Sequence, residues 1–136
     1  MRASRLIRDV EVTDCEPEQR PLVSQAFCSA LPIAYSGLPA ASPWQPFASL
    51  VLEAAYEATV WAAVRNAQRG ASNVVLLTSL GGGAFGNDER WIQAAMRRAL
   101  KLASGFDLDL RLVSYGAPSQ GLLQMVQDFE RDDAMA

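Results

Sequence analysis

Residues 73–89, Asn73-Val74-Val75-Leu76-Leu77-Thr78-Ser79-Leu80-Gly81-Gly82-Gly83-Ala84-Phe85-Gly86-Asn87-Asp88-Glu89, constrain the fold more than any other stretch of the chain. The apolar run predicts a central strand covered on both faces. The glycines that follow let the backbone go where a Cβ would block it. Asn87 suits a helix cap, and Asp88 and Glu89 favour the positive end of a helix. Strand, glycine loop and helix in that order present free backbone N–H groups to an anion, so the loop is the candidate phosphate site.

The rest of the chain supplies a matching scaffold. Leu6 to Thr13 reads as a short strand with Val10 and Val12 on one face, and Cys15 to Pro21 as a loop. Leu22 to Tyr35 contains a buried strand or short apolar segment, limited to an edge at Pro32. Ser36 to Pro46 is mostly loop. A long helix is predicted from Pro43 to about Arg69, with Ser42 as cap, Pro43 in the first helical position and Gly70 as the stop. Its expected inward stripe is Phe47, Leu50, Val51, Ala54, Ala58, Trp61 and Ala62. The helix after the loop should bury Ile92, Ala95, Met96, Ala99 and Ala103 and end at Ser104-Gly105. Leu108 to Tyr115 alternates as a strand. Gly121 to Glu130 reads as a last helix burying Leu122, Leu123, Val126 and Phe129. Residues 1–21 form an N-terminal extension and 131–136 a tail on a single domain spanning 1–136. Helix, strand, loop, helix, strand, helix describes an α/β three-layer fold, with a right-handed crossover between the last two strands if they are parallel.

Composition narrows the chemistry. The chain has 136 residues, net charge −3 and no histidine. The length suits one domain with a core of its own. Without histidine there is no Ser-His-Asp triad and no His-containing metal site. The charge balance argues against nucleic acid or an anionic membrane as a partner held by bulk charge. Phe47 to Val64 is apolar but interrupted by Glu53 and Glu57, so no membrane span is expected. Cys15 and Cys28 lack CxxC spacing and read as reduced buried thiols, in keeping with a cytoplasmic location.

The loop chemistry can be compared with three phosphate-binding patterns. A Walker loop needs Lys-Ser/Thr after its last glycine, whereas Gly86 is followed by Asn87-Asp88. Gly81, Gly83 and Gly86 match GxGxxG formally. The acidic partner of that fingerprint belongs at the carboxyl end of the next strand, where this chain has Ser114-Tyr115. The third pattern fits best. Leu80-Gly81-Gly82-Gly83-Ala84-Phe85-Gly86-Asn87 resembles the second diphosphate-binding loop of macro domains, with an aromatic just before the last glycine. Val23 to Ser36, Trp44 to Arg69, Asn73 to Leu80, Asp88 to Ser104 and Leu108 to Tyr115 resemble the family's strand, long helix, strand, helix and final strand.

The resemblance implies a three-layer macro-domain-like fold, complete or truncated, with a mostly parallel central sheet. It implies that Gly81, Gly82, Gly83, Ala84, Phe85, Gly86 and Asn87 bind a diphosphate, that Phe85 covers it or its ribose, and that Tyr115 flanks adenine. The implied ligand is an ADP-ribose-like small molecule or an ADP-ribosylated protein, with no cofactor and no metal. The family's earlier loop, with its asparagine and glycine run and many of the hydrolases' catalytic contacts, has no match before residue 40. Catalytic residues are therefore unassigned. In the alternative reading the glycine loop is only a structural turn, and aromatics around Trp44 and Trp61 serve a homo-oligomer or protein interface. An incomplete sheet edge would also invite pairing between copies.

Overall fold

The computed structural model describes residues 4–14, 16–37 and 42–133. The chain is mixed α/β, with strands β1 (Ser4–Glu11), β2 (Leu22–Cys28), β3 (Val74–Thr78) and β4 (Asp109–Val113), and helices α1 (Gln45–Gln68), α2 (Glu89–Ala103) and α3 (Gln120–Asp133). The strands form two small sheets: β1 pairs antiparallel with β2, and β3 pairs parallel with β4. Parallel pairing across α2 makes β3–α2–β4 the expected crossover unit. Residues 1–3, Cys15, residues 38–41 and residues 134–136 fall outside the described residues, and with them the expectation for the Cys15 thiol. Cys28 is a free thiol and donates to the Ala55 carbonyl at 3.7 Å.

β3 is covered on one face, not two. Val75 and Leu77 are buried while Val74, Leu76 and Thr78 are exposed. An apolar run cannot report which faces find a covering layer, because covering is a property of distant elements. β2 is likewise mostly exposed rather than buried, with Leu22, Gln25, Ala26 and Phe27 open to solvent.

α1 starts later than predicted. Ser42–Trp44 form a 3₁₀ turn, Trp44 is the N-cap without a side-chain cap, and Pro46 lies in the first turn. A helix beginning at Pro43 would put Pro46 where its missing N–H is needed for an intrahelical bond. The end is as predicted, with Arg69 as C-cap and Gly70 left-handed at φ 81°. The buried face is Ala48, Leu52, Ala55, Tyr56, Val60 and Val64, not the predicted stripe. Phe47, Leu50 and Trp61 are 54%, 60% and 42% exposed. The helix is apolar almost all round, so residue spacing does not single out a face. By length and composition alone α1 is long and apolar enough to cross a membrane, although Arg98 pairs with its Glu53 and Glu57 at 3.8 and 3.5 Å.

α2 behaves as read. Ile92, Ala95, Met96, Ala99 and Ala103 are buried, together with Trp91 and Leu100. It packs on the inner face of α1 and on Val75 and Leu77, and α3 adds Leu122 and Met125 to the same core. Full burial of a side chain such as Leu52, Ile92 or Met96 stabilises by about 1.5–3 kcal/mol each. Leu123, expected inside, is exposed, and Arg131–Asp133 continue α3 where a tail was expected.

One buried phenol joins this core to the glycine loop. Tyr56 donates to the Thr78 carbonyl at 2.6 Å and accepts from the Leu80 N–H at 2.9 Å, clamping the last turn of β3 onto α1. Burial pushes its pKa up to about 12, against the opposing effect of the Leu80 N–H. The folded state therefore holds the proton more tightly than the unfolded one. That contribution is intact below pH 10 and is lost as pH rises towards about 12. Tyr56→Phe should lose about 2 kcal/mol at pH 7, since it orphans one donor and one acceptor. Its stability should also fall less steeply than wild type's between pH 10 and the wild-type phenol's raised pKa. Urea unfolding of both proteins across that range checks the prediction, and parallel curves would contradict it.

Candidate functional site

The loop between β3 and α2 is a closed, preformed ring of backbone. The Gly81 carbonyl accepts from the Asn87 N–H at 3.0 Å, Gly82 N–H donates to the Ser79 carbonyl at 3.2 Å, and Gly86 N–H donates to the Gly83 carbonyl at 3.0 Å. Gly81 and Gly86 adopt left-handed φ of 77° and 69°. At Gly81 glycine is also required by packing, and at Gly86 packing is tight. A Cβ on Gly81 would lie 2.3 Å from the Ala30 Cβ, and one on Gly86 3.0 Å from the Ala34 Cβ. Gly83 has open space around it and an ordinary φ, whereas a Cβ on Gly82 would point inward, 3.2 Å from Ile92 Cδ1 and 3.5 Å from the Ser79 carbonyl. The two outer glycines shape the ring, and Gly83 leaves its outer rim open.

Asn87 holds the ring shut from inside. It is 5% exposed, and its Nδ2 donates to the Leu31 and Gly81 carbonyls at 2.8 and 3.2 Å. Its Oδ1 is buried without a partner. Asn87 is therefore not the helix cap. That role belongs to Asp88, whose carboxylate accepts from the Arg90 N–H at 2.8 Å.

The acidic residues at the start of α2 are already engaged. Asp88 also pairs with the Arg90 guanidinium at 2.6 Å. Those side-chain bonds, with the Arg90 N–H, lower the Asp88 pKa to about 2. Glu89 accepts from the Ser119 hydroxyl and from Gln93 Nε2, facing the start of α3. Both carboxylates are thus bound to protein partners.

The chain brings a segment to this loop that sequence reading did not assign to it. Residues 30–35 lie against the ring: Ala30 on Gly81, Ala34 on Gly86, and the Ala34 N–H on the Phe85 carbonyl at 3.0 Å. Tyr35 meets Phe85 edge-on, with ring centroids 6.3 Å apart. Phe85 is half-buried by this packing, while Tyr35 is mostly exposed. The only local signal was a pair of alanines spaced to face two glycines, which is too weak to find without the fold. Ala84 is exposed on the rim. Tyr115 follows β4, whose end is in register with the end of β3, so it emerges at the same sheet edge as the loop. It is fully exposed and takes no part in packing.

Three successive amides complete the geometry. The N–H groups of Gly83, Ala84 and Phe85 make no hydrogen bond within the described chain. They lie at the carboxyl end of a parallel strand and ahead of α2, where α/β sheets bind ligands. Among the described residues no cluster of His, Cys, Asp or Glu is arranged to hold a metal. A groove of about 640 Å³ between β2, α1 and β3 has no charged lining residue and lies away from these amides. No family model, curated protein or solved structure matches the chain.

Proposed function

We propose that this chain binds ADP-ribose or a related nucleotide diphosphate, free or attached to a protein, through residues Gly81 to Asn87. The observation that carries the reading is the run of unpaired amides at Gly83, Ala84 and Phe85 on a preformed ring. Anions bind such donors well because the groups are fixed before the ligand arrives. Gly81, Gly86 and Asn87 set the ring, Gly82 and Gly83 admit the diphosphate, and the Phe85–Tyr35 pair and Tyr115 offer aromatic cover on either side. The reading includes a macro-domain-like, three-layer architecture, a cytoplasmic setting, and neither nucleic acid nor a membrane as partner.

Isothermal titration with ADP-ribose, and with AMP and NAD as comparators, tests it. Selective heat with ADP-ribose is expected. Gly83→Val should remove that heat by placing a branched side chain over the amides, and its melting temperature should stay within about 2 °C of wild type, as for a surface change. A Gly83→Val protein that binds as well as wild type would remove the loop from the site.

A further inference from the structure

Both sheets rest on α1 and leave a gap between them. Ser24 and Cys28 of β2 bond to Asn66 and to the Ala55 carbonyl, while Val75 and Leu77 of β3 share the core with Leu52 and Val60. The groove of about 640 Å³ between the two strands has Thr59, Ala62 and Ala63 as its floor. Ser24 and Ala26 of β2 line one wall, and Val74 and Leu76 of β3 line the other. The Cα atoms of β2 and β3 stay more than 8 Å apart over almost their whole length. Paired strands lie about 4.8 Å apart, and a strand seated between two others needs about 9.6 Å.

The two edges that flank the groove carry unused backbone groups. The Asp109 N–H donates to the Asn73 carbonyl, and a ladder uses alternate residues, so Val75 and Leu77 turn their backbone groups to β4. Those of Val74, Leu76 and Thr78 point the other way. Ser72 Oγ accepts the Val74 N–H, and the Thr78 carbonyl accepts from Tyr56 and from the Leu80 N–H. The Leu76 N–H and carbonyl have no partner among the described residues. On β2 the Val12 N–H donates to the Pro21 carbonyl, so Val23 and Gln25 turn to β1, and Ser24 and Ala26 present their backbone groups to the groove. Charge follows the same division. The outer strands carry Arg5, Arg8, Asp9 and Glu11 in β1 and Asp109 and Arg111 in β4. β2 and β3 carry neither charge nor proline, the devices that blunt an open edge. Their composition is that of strands paired on both sides.

A groove walled by two edges accepts only an extended chain whose own edges are both free. Every described strand of this protein already has one edge paired, so a second copy has no strand to offer. The stretches outside the described residues run to four residues at most, shorter than the five of β3. We propose that the groove receives an extended peptide segment of another protein, which adds as a strand between β2 and β3 and joins the two sheets into one. Main-chain hydrogen bonds to both walls hold it, as in other cases of strand addition. The segment is uncharged over about five residues, with large apolar side chains at every second position to fill the space above Thr59, Ala62 and Ala63. The proposal stands independently of whether the glycine loop binds a nucleotide.

Panning a phage-displayed library of random peptides on the full chain tests it. Enriched peptides should share apolar side chains at alternate positions over about five residues. In the free chain the Leu76 and Ala26 amides should exchange quickly, and a synthetic copy of the most enriched peptide should slow both by at least about tenfold. N-methylation of that peptide at every second residue blocks one row of its donors and should weaken binding by at least about tenfold. Leu76→Pro removes a donor on the open edge and spares the ladder to β4, and Ala62→Glu puts a carboxylate on the floor. Each should weaken binding to a similar degree with the wild-type circular dichroism retained. Leu50→Glu, exposed and outside the groove, should bind as wild type does. Three results would each overturn the proposal: no enrichment over an uncoated surface, a Leu76 amide already protected in the free chain, or an N-methylated peptide that binds as tightly as its parent. Undiminished binding by both Leu76→Pro and Ala62→Glu would do so as well.

Discussion

Gly81→Ala should cost about 2–4 kcal/mol, from an enforced left-handed φ and a close contact in a packed site. Its φ is 77°, and the new methyl would sit 2.3 Å from Ala30 Cβ and 2.7 Å from Asn87 Nδ2. Neither neighbour can withdraw easily: the Ala30 methyl is buried and fixed to its backbone, and Asn87 is bound to two carbonyls. The expected fall in melting temperature is on the order of 10 °C for a domain of this size. Gly37→Ala is the control for φ alone, since Gly37 has φ 70° and a methyl there would meet nothing within 4 Å. It should lose only about 1 kcal/mol. If Gly81→Ala and Gly37→Ala melted together, the contact with residues 30–35 would be wrong and the ring would be held some other way.

Asn87→Ala should be of similar size, about 3 kcal/mol, because it leaves the Leu31 and Gly81 carbonyls buried without donors. It removes the tie between the ring and the segment that follows β2, so amide exchange at Gly86 and Ala34 should quicken. Asn87→Asp should be worse than Asn87→Ala at pH 7, as a carboxylate would face two carbonyl oxygens. Such a group has its folded pKa raised above the unfolded value of about 3.9, so the penalty grows with rising pH and relaxes as the acid is protonated. Chemical denaturation at pH 4 and pH 7 reads this out. An Asn87→Asp protein as stable as wild type at pH 7 would show that Asn87 does not close the ring.

The proposed site divides labour between glycines in a way that separates stability from binding. Gly81 and Gly86 touch alanines of the 30–35 segment, so their substitution is expressed in folding. Gly83 touches nothing and its amide is unpaired, so its substitution is expressed in ligand affinity. Measured together, the Gly81 and Gly83 variants distinguish a loop that only shapes the fold from one that also holds an anion.

Much of the element order was legible from local chemistry. The strand–loop–helix unit at 74–103, the buried stripe of α2, the alternating β4 and the Gly70 stop follow from rules that act within a few residues: glycine's access to positive φ, the 3.6-residue period, and strand alternation. α2 could be read because it is polar on one side. Three other features were settled by partners distant in sequence. α1 is apolar on nearly every side, so its buried face was chosen by α2 and β3, and Phe47, Leu50, Ala54 and Trp61 of the predicted stripe are exposed instead. β3 reads as doubly covered, yet Val74 and Leu76 stay exposed and line a groove facing β2 instead of packing under a second layer. Asn87 has the local character of a helix cap, but Leu31 draws its amide inward and leaves capping to Asp88. Local sequence thus specified where the backbone turns, but not which amides are left free: those of Gly83 to Phe85 in the loop are unpaired, while Asp88 engages the Arg90 amide in the first turn of α2, where free groups were expected. Long-range packing specified which faces are covered, because burial depends on what arrives from elsewhere in the chain.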